Sequence, residues 1–250
     1  MTQSKWLCSL PWTGFSNDPD GKVRPCCLFK DYIKQDNGDN FYVQTHKVDE
    51  IFSSNYMTNL RQRFRNGEKP EECIVCIKDE LNNYTSKRQR YLETYMGSLV
   101  DYSTDPKFPM EYQMILSNAC NLKCRSCSPS HSNLWQSEFK HVNDKVGYPM
   151  PHGQSGDKKS VLWQDRKDWM KHLKRLEIVG GEPFYIKQWK DLWEELISEG
   201  LNKEIMVDMC SNGTIYAGDT VDWLCSNFKS VGIGLSIDGV GKTYNYLRHP

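Results

Sequence analysis

The stretch "EYQMILSNACNLKCRSC", residues 111–127, decides the fold. Its first seven residues, 111–117, are rich in apolar side chains and predict a strand. Three cysteines follow directly, at positions 120, 124 and 127, with C-x3-C-x2-C spacing. Three thiolates are one fewer than a structural zinc site or an ordinary iron–sulfur cluster takes from a protein. They suit a [4Fe–4S] cube whose fourth iron stays open for a ligand that is not protein.

Two alternatives to this cluster stay open. The cysteines could bind zinc together with a distant fourth ligand such as His131, or they could be core cysteines grouped by chance. The motif "GGEP", residues 180–183, follows the next predicted strand and favours the cluster. Its carboxylate and flexible backbone suit an amine on the ligand of the open iron.

The chain after residue 110 alternates between strand and helix patterns. Helices are predicted at 132–142, 189–197 and 221–228, and the second has the most regular apolar spacing and Gly200 at its C-cap. Alternating strands and helices predict a parallel sheet, open or closed into a barrel. The predicted strands cover residues 111–117, 175–180, 204–210 and 231–238.

Each predicted strand is followed by a loop with polar or glycine residues. The loops are the three-cysteine segment, "GGEP", "SNG" at 211–213 and "SIDG" at 236–239. In parallel α/β folds the chemistry sits at the carboxyl ends of the strands. The four loops are therefore expected to open onto one face.

"CNLKCRSC" followed by "GGEP" resembles the radical S-adenosylmethionine (SAM) enzymes, and the resemblance covers about residues 110–250. It implies an iron–sulfur enzyme in which the open iron chelates SAM. Reductive cleavage of SAM then gives a 5′-deoxyadenosyl radical that abstracts hydrogen from a substrate. Ser126 departs from the family pattern, in which an aromatic residue near the adenine is common at that position.

The resemblance assigns a role to each matching residue. It implies that the ligands of the SAM-binding [4Fe–4S] cluster are Cys120, Cys124 and Cys127. The methionine amine would be held by Gly180, Gly181 and Glu182. The ribose or methionine part would be contacted by Ser211 and Asn212, and Ser236 is a weaker match of the same kind.

The amino-terminal cysteines resemble the opening of the SPASM and twitch auxiliary-cluster domains of the same superfamily. Cys8, Gly21 and Cys26 fit the spacing C-x(9–15)-G-x4-C, and "NDPDGK" between them predicts a hairpin of "PWTGF" with "KVRPCC". "CIVC" adds Cys73 and Cys76. By this resemblance Cys8, Cys26, Cys73 and Cys76 enclose a second, auxiliary [4Fe–4S] cluster of the single-cluster twitch type.

This module departs from the family in preceding the barrel, where most members have it afterwards. A four-cysteine zinc ribbon fits the spacing nearly as well, and Cys27 could replace Cys26 as a ligand. Cys225 is predicted to be a core residue. Cys210 ends a strand at the active face, where both a buried thiol and a functional one are open alternatives.

The fold class is thus predicted as α/β: a partial (β/α) TIM-like barrel of radical SAM type preceded by a small cysteine-rich hairpin and helix module. The auxiliary module is predicted at 1–105 and the core at 106–250, with 101–109 as a linker. Only four strand–loop units follow the linker, whereas a family barrel has six. The chain is therefore expected to be a fragment, or to be completed by another chain.

The composition excludes several classes of protein. The 32 basic and 32 acidic residues cancel, which argues against binding to nucleic acid or to an anionic membrane. Neither a membrane-length apolar run nor a secretory signal is visible, so a cytoplasmic location is expected. Arg61, Arg63 and Arg65 are predicted to lie on a solvated helix face.

The resemblance implies a peptide or protein substrate and an electron donor of ferredoxin or flavodoxin type. A small-molecule substrate is an alternative. The rival from another class is a zinc-ribbon interaction protein without SAM chemistry, which would have no use for "GGEP" at the end of a strand.

Overall fold

A computed structural model describes residues 6–139 and 155–248 of the chain. Six strands form one sheet in the order β2-β1-β3-β4-β5-β6. Every pair of neighbouring strands in this order is parallel except the first, in which β2 runs antiparallel to β1. The strands are β1 (Gly14–Asn17), β2 (Val23–Arg24), β3 (Glu111–Met114), β4 (Arg175–Ile178), β5 (Met206–Ser211) and β6 (Ser230–Leu235).

Helices follow most of the strands. The predicted helix at 132–142 is a 3₁₀ turn, Asn133–Trp135, that continues as α7, and the rest of that prediction lies outside the described residues. The helices are α1 (Leu10–Thr13), α2 (Val48–Phe52), α3 (Asn55–Arg65), α4 (Ile74–Leu81), α5 (Lys87–Leu92), α6 (Tyr95–Ser98), α7 (Gln136–Phe139), α8 (Val161–Gln164), α9 (Arg166–Met170), α10 (Lys187–Ser198), α11 (Gly218–Asn227) and α12 (Lys242–Leu247). Among the described residues, no helix is long and apolar enough to cross a membrane.

The amino-terminal hairpin is part of the main sheet. As predicted, a hairpin forms across the "NDPDGK" turn, where β1 pairs with β2, but residues 11–13 of the predicted first strand lie in α1. The sequence did not indicate that β1 would also pair in parallel with β3, with Gly14 opposite Glu111. A parallel pair needs a long crossover connection, and residues 18–110 supply it. The cysteine-rich segment therefore folds back over the sheet that carries the three-cysteine loop.

Strand β3 is shorter than predicted because a side chain takes over its backbone hydrogen bonds. The Ile115 amide donates to Asn17 Oδ1 at 3.2 Å, and Asn17 Nδ2 donates to the Ile115 carbonyl at 2.9 Å. The strand ends at Met114, and the chain turns into the cysteine loop from there.

Helix α10 is the clearest success of the apolar pattern. Its residues Trp189, Leu192, Trp193 and Leu196 are all buried, in one core with strand residues such as Leu176 and Val207. Burial of side chains of this size stabilises the fold by about 1.5–3 kcal/mol each. The helix ends at Ser198 with Glu199 as its C-cap, and the predicted terminating glycine, Gly200, follows one residue later with φ of +70°. The amides of Gly200 and Leu201 bond back to the carbonyls of Ile197 and Leu196, as in a Schellman motif.

Two expectations about individual side chains were wrong. Arg61 is not on a solvated face; it is fully buried, with Nε donating to the Pro11 carbonyl at 2.8 Å and Nη2 to the Phe52 carbonyl at 2.9 Å. These carbonyls make a buried guanidinium tolerable. Cys225 is exposed rather than in the core, because Leu224 is the only buried residue of α11.

Candidate functional site

One pocket of about 270 Å³ lies at the carboxyl ends of strands β3 to β6. The parallel order of the strands brings their following loops together there. The residues of the predicted SAM site that line it are Cys120, Cys124, Cys127, Gly180, Gly181, Asn212 and Ser236. Glu182 and Ser211 do not line it. Besides Leu122, Ser126 and Val179, the pocket is lined by three residues whose side chains can titrate or bind and that had no predicted role in SAM binding: His131, Cys210 and Arg248.

The cysteine loop is held by the segment that follows it. Ser132 Oγ donates to the Leu122 carbonyl at 2.7 Å, and Trp135 Nε1 donates to the Cys124 carbonyl at 3.1 Å. The amide of Cys120 donates to Asn133 Oδ1 at 3.1 Å. These bonds fix the backbone on which the three thiols are carried.

The surroundings of the thiols suit bound iron. Burial raises the pKa of the Cys120 and Cys127 thiols, so their thiolates need a positive partner. Side-chain N–H groups already point at sulfur: Arg248 Nη1 lies 3.6 Å from Cys124 Sγ, and Asn212 Nδ2 lies 3.9 Å from Cys120 Sγ. N–H donors of this kind are typical around iron–sulfur clusters.

Within residues 6–139 and 155–248, no three His, Cys, Asp or Glu side chains are close enough together to share one metal ion. The thiols line a common pocket without converging on a point. In a [4Fe–4S] cube each thiolate bonds a different iron, so its ligands surround a volume.

The two glycines of the "GGEP" loop allow close backbone contact with the cysteine loop. Gly180 has φ of +82° and Gly181 has φ of +59°, a region that favours glycine. A Cβ on Gly181 would lie 2.4 Å from the Ala119 carbonyl oxygen, and one on Gly180 would lie 2.7 Å from Ile115 Cγ2. The Glu182 amide donates to the Ala119 carbonyl at 2.9 Å. A side chain at either position would strain the backbone and force a neighbouring atom to move.

Glu182 joins the "GGEP" loop to the loop after β5. It is fully buried, and its carboxylate accepts hydrogen bonds from Ser211 Oγ and the Asn212 amide, both at 2.8 Å. A longer bond comes from the Phe184 amide at 3.4 Å. These contacts give Glu182 and Ser211 a role in positioning the loops. A direct contact between Glu182 and the methionine amine stays a prediction.

Asn212 reaches the pocket with its side chain already engaged. Its Oδ1 accepts from the Thr214 amide at 3.0 Å, and its Nδ2 donates to Asn121 Oδ1 at 2.9 Å. Asn212 thus links the loop after β5 to the cysteine loop. The Ser236 amide donates to the Ser211 carbonyl at 2.9 Å, which places Ser236 beside these residues.

The additional lining residues come from three different elements. Arg248 follows α12, and its Nε donates to Asp238 Oδ2 at 2.7 Å. His131 follows the cysteine loop, and burial lowers its pKa, so the neutral imidazole is favoured. Cys210 is the penultimate residue of β5 and is exposed, so it is not a buried thiol, and a functional role stays a prediction. The sequence had signalled Cys210 by its position near a strand end and His131 as a possible zinc ligand. Nothing local in the sequence links Arg248 to a cysteine 124 residues earlier.

The amino-terminal cysteines form a second group. Cys8 precedes α1, Cys26 follows β2, and Cys73 and Cys76 lie at the start of α4. Burial raises the pKa of Cys8, and the neighbouring thiols of Cys26, Cys73 and Cys76 raise it further. Burial also raises the pKa of Cys26, to about 11. The charges of these thiols thus act on one another, although among the described residues no three of them are close enough to share a single metal ion.

Cys27 lies apart from this group. It is exposed, and its sulfur accepts a hydrogen bond from Lys87 Nζ at 3.1 Å. Cys26, and not Cys27, is among the thiols that raise the pKa of Cys8.

Comparison with known proteins supports the resemblance to radical SAM enzymes with a SPASM domain that was seen in the sequence. Residues 8–77 match the SPASM family, described as an iron-sulfur cluster-binding domain. This match begins at the first predicted auxiliary ligand and ends just after the last.

A particular relative is the sporulation killing factor maturation protein SkfB of Bacillus subtilis (strain 168). It is 27% identical to this chain over 187 residues, which cover 72% of the chain and 39% of the relative. The chain thus spans about two fifths of the length of this relative. No solved structure gives a significant match.

Proposed function

We propose that this chain forms the SAM-cleaving site of a radical SAM enzyme that modifies a peptide or protein side chain. One observation carries the proposal: Cys120, Cys124 and Cys127 line the same pocket as the backbone of Gly180 and Gly181. A three-thiol loop and a close-packed glycine loop at the carboxyl ends of parallel strands suit a cluster with an open iron.

A [4Fe–4S] cluster with SAM on its open iron would supply the chemistry, by reductive cleavage to a 5′-deoxyadenosyl radical that abstracts hydrogen. The chain's own residues bind and orient. The three cysteines would each hold one iron, and the bare backbone of the glycine loop would approach the methionine amine. Glu182 would keep that loop in register with the loop after β5, where Asn212 lines the pocket.

We propose a second, auxiliary [4Fe–4S] cluster on Cys8, Cys26, Cys73 and Cys76. The match of residues 8–77 to an iron-sulfur cluster-binding domain supports iron rather than zinc at these cysteines. The electrostatic influence of Cys26, Cys73 and Cys76 on the Cys8 thiol supports a shared site, in which each thiolate would bind a different iron.

The substrate and the electron donor are the least constrained parts of the proposal. The similar protein is named for the maturation of a sporulation killing factor, which supports a peptide or protein substrate here. A donor of ferredoxin or flavodoxin type would supply the single electron.

Anaerobic protein reduced with dithionite in the presence of SAM tests the proposal. We expect 5′-deoxyadenosine to form, and Cys120→Ala/Cys124→Ala/Cys127→Ala to abolish it while removing about four irons per chain. Cys225→Ala is the matched control, because Cys225 is exposed and does not line the pocket. Formation of 5′-deoxyadenosine by the triple variant would disprove the proposed site.

A further inference from the structure

The segment that follows β6 closes over the cysteine loop through two arginines. Arg125, inside the loop, donates from its backbone amide to the Leu247 carbonyl at 2.8 Å and from Nε to the Tyr246 carbonyl at 2.9 Å. Both carbonyls belong to the last turn of α12, where helical partners are lacking. The loop therefore caps the end of α12 and fixes the position of the next residue, Arg248.

Arg248 reaches back from this position to a predicted cluster ligand. Its Nη1 lies 3.6 Å from Cys124 Sγ, and its Nε donates to Asp238 Oδ2 at 2.7 Å. The Arg248 side chain is only 15% exposed. The guanidinium is thus held between a carboxylate and a sulfur, with little water to screen its charge.

We propose that Arg248 is a positioning residue that raises the reduction potential of the SAM-binding cluster through its contact with the Cys124 sulfur. The inference rests on the proposed function, since it needs a cluster on Cys124. Reduction adds one negative charge to the cluster, and a nearby fixed cation stabilises the reduced form more than the oxidised one. Hydrogen bonds to the sulfurs are one of the known determinants of cluster potential.

Asp238 orients the Arg248 guanidinium for its contact with the Cys124 sulfur. Its carboxylate binds the Nε edge of the guanidinium, which leaves the Nη1 edge directed at sulfur. The planar guanidinium can serve both partners at once, whereas a lysine ammonium is a point charge without a fixed fork. Lysine at this position should therefore retain part of the effect.

A redox titration followed by electron paramagnetic resonance (EPR) tests the inference without using turnover. The signal of interest is the component that is absent from Cys120→Ala/Cys124→Ala/Cys127→Ala. In Arg248→Gln we expect the ratio of reduced to oxidised cluster at a fixed potential to fall about tenfold, which is about 59 mV for a one-electron couple. Arg248→Lys should shift it in the same direction by less, and it provides the test if Arg248→Gln fails to assemble the cluster.

Lys123→Gln is the matched control. Lys123 lies in the same loop and pairs with Glu138 rather than with a sulfur, so its removal should leave the potential unchanged. An equal shift in this control, or no shift in the Arg248 variants, would overturn the inference. The inference would also be overturned if the Arg248 variants kept the wild-type potential but bound SAM more weakly, because the guanidinium would then contact SAM and not tune the cluster. Failure of the proposed function would look different from failure of this inference. The wild-type cluster would still titrate, but the protein would form no 5′-deoxyadenosine from SAM.

Discussion

At the scale of single residues, Glu182 is where the structure adds most to the sequence. The motif pointed to a carboxylate that meets the ligand, whereas the structure shows a buried carboxylate that satisfies Ser211 and Asn212. The motif identified the residue, but only its surroundings reveal these partners. Burial of a carboxylate at 0% exposure is tolerated here because it accepts several hydrogen bonds.

Glu182→Ala should therefore destabilise the fold as well as weaken SAM binding. Two buried donors would lose their acceptor, at a cost of about 1–3 kcal/mol each. Glu182→Gln should retain one of these bonds and cost less. Urea unfolding of the two variants beside Glu194→Ala, on an exposed helix face, measures the difference. If Glu182→Ala unfolds at the wild-type urea concentration, the carboxylate does not bridge the loops.

The glycine loop gives a second test at this scale. Gly181→Ala should cost more stability than Gly200→Ala, although both positions have positive φ. A Cβ at Gly200 meets nothing within 4 Å, whereas at Gly181 it lies 2.4 Å from the Ala119 carbonyl oxygen. Gly200→Ala should show only the backbone strain of about 1–2 kcal/mol. Gly181→Ala should also shift Cys120 and lower iron retention, and equal losses in both variants would contradict this reasoning.

At the scale of helices and strands, an ion pair connects α4, α5 and the first auxiliary cysteine. Arg88 Nη2 lies 2.6 Å from Glu80 Oε2, and Arg88 Nη1 donates to the carbonyl of Leu7, the neighbour of Cys8, at 2.7 Å. The two side chains are only 9% and 11% exposed. This pair orients both helices around the auxiliary cysteines.

Arg88→Met should destabilise the protein more than Arg88→Met/Glu80→Gln does. Loss of one partner of a buried ion pair costs about 3–5 kcal/mol, because the other charge is left uncompensated. The double variant removes that charge. Guanidinium unfolding with a parallel iron assay is the measurement, and Lys190→Met, from an exposed pair with Glu194, is the control. A double variant that is less stable than Arg88→Met would show that the charge is not the cause.

Local patterns predicted the elements better than their connections. The apolar spacing in 189–197 and Gly200 predicted α10 and its end, and strand runs separated by loops predicted the parallel order from β3 to β6. The pairing of β1 with β3 joins residues about a hundred positions apart, and nothing in either strand specifies the other. Arg61 was misplaced for a similar reason, because the carbonyls that receive it come from α1 and the end of α2.

At the scale of the whole molecule, one sheet carries both cysteine groups. The hairpin that supplies Cys26 extends the sheet on one side, and β3 leads into the three-cysteine loop. The division into modules at 1–105 and 106–250 stays a prediction, as does an incomplete barrel. Backbone hydrogen bonds of this sheet nevertheless link the hairpin beside Cys26 to the strand that leads into the three-cysteine loop.

The central claim is that the pocket at the carboxyl ends of β3 to β6 holds a cluster whose open iron binds SAM. Cys73→Ala/Cys76→Ala should remove the auxiliary cluster, so that the cluster in this pocket is the one that remains. The EPR spectrum of this reduced variant, recorded with and without SAM, tests the claim most directly. The account predicts that SAM changes the spectrum, because it binds an iron that no cysteine occupies. A spectrum that SAM leaves unaltered, from a variant that retains about four irons per chain, would contradict it.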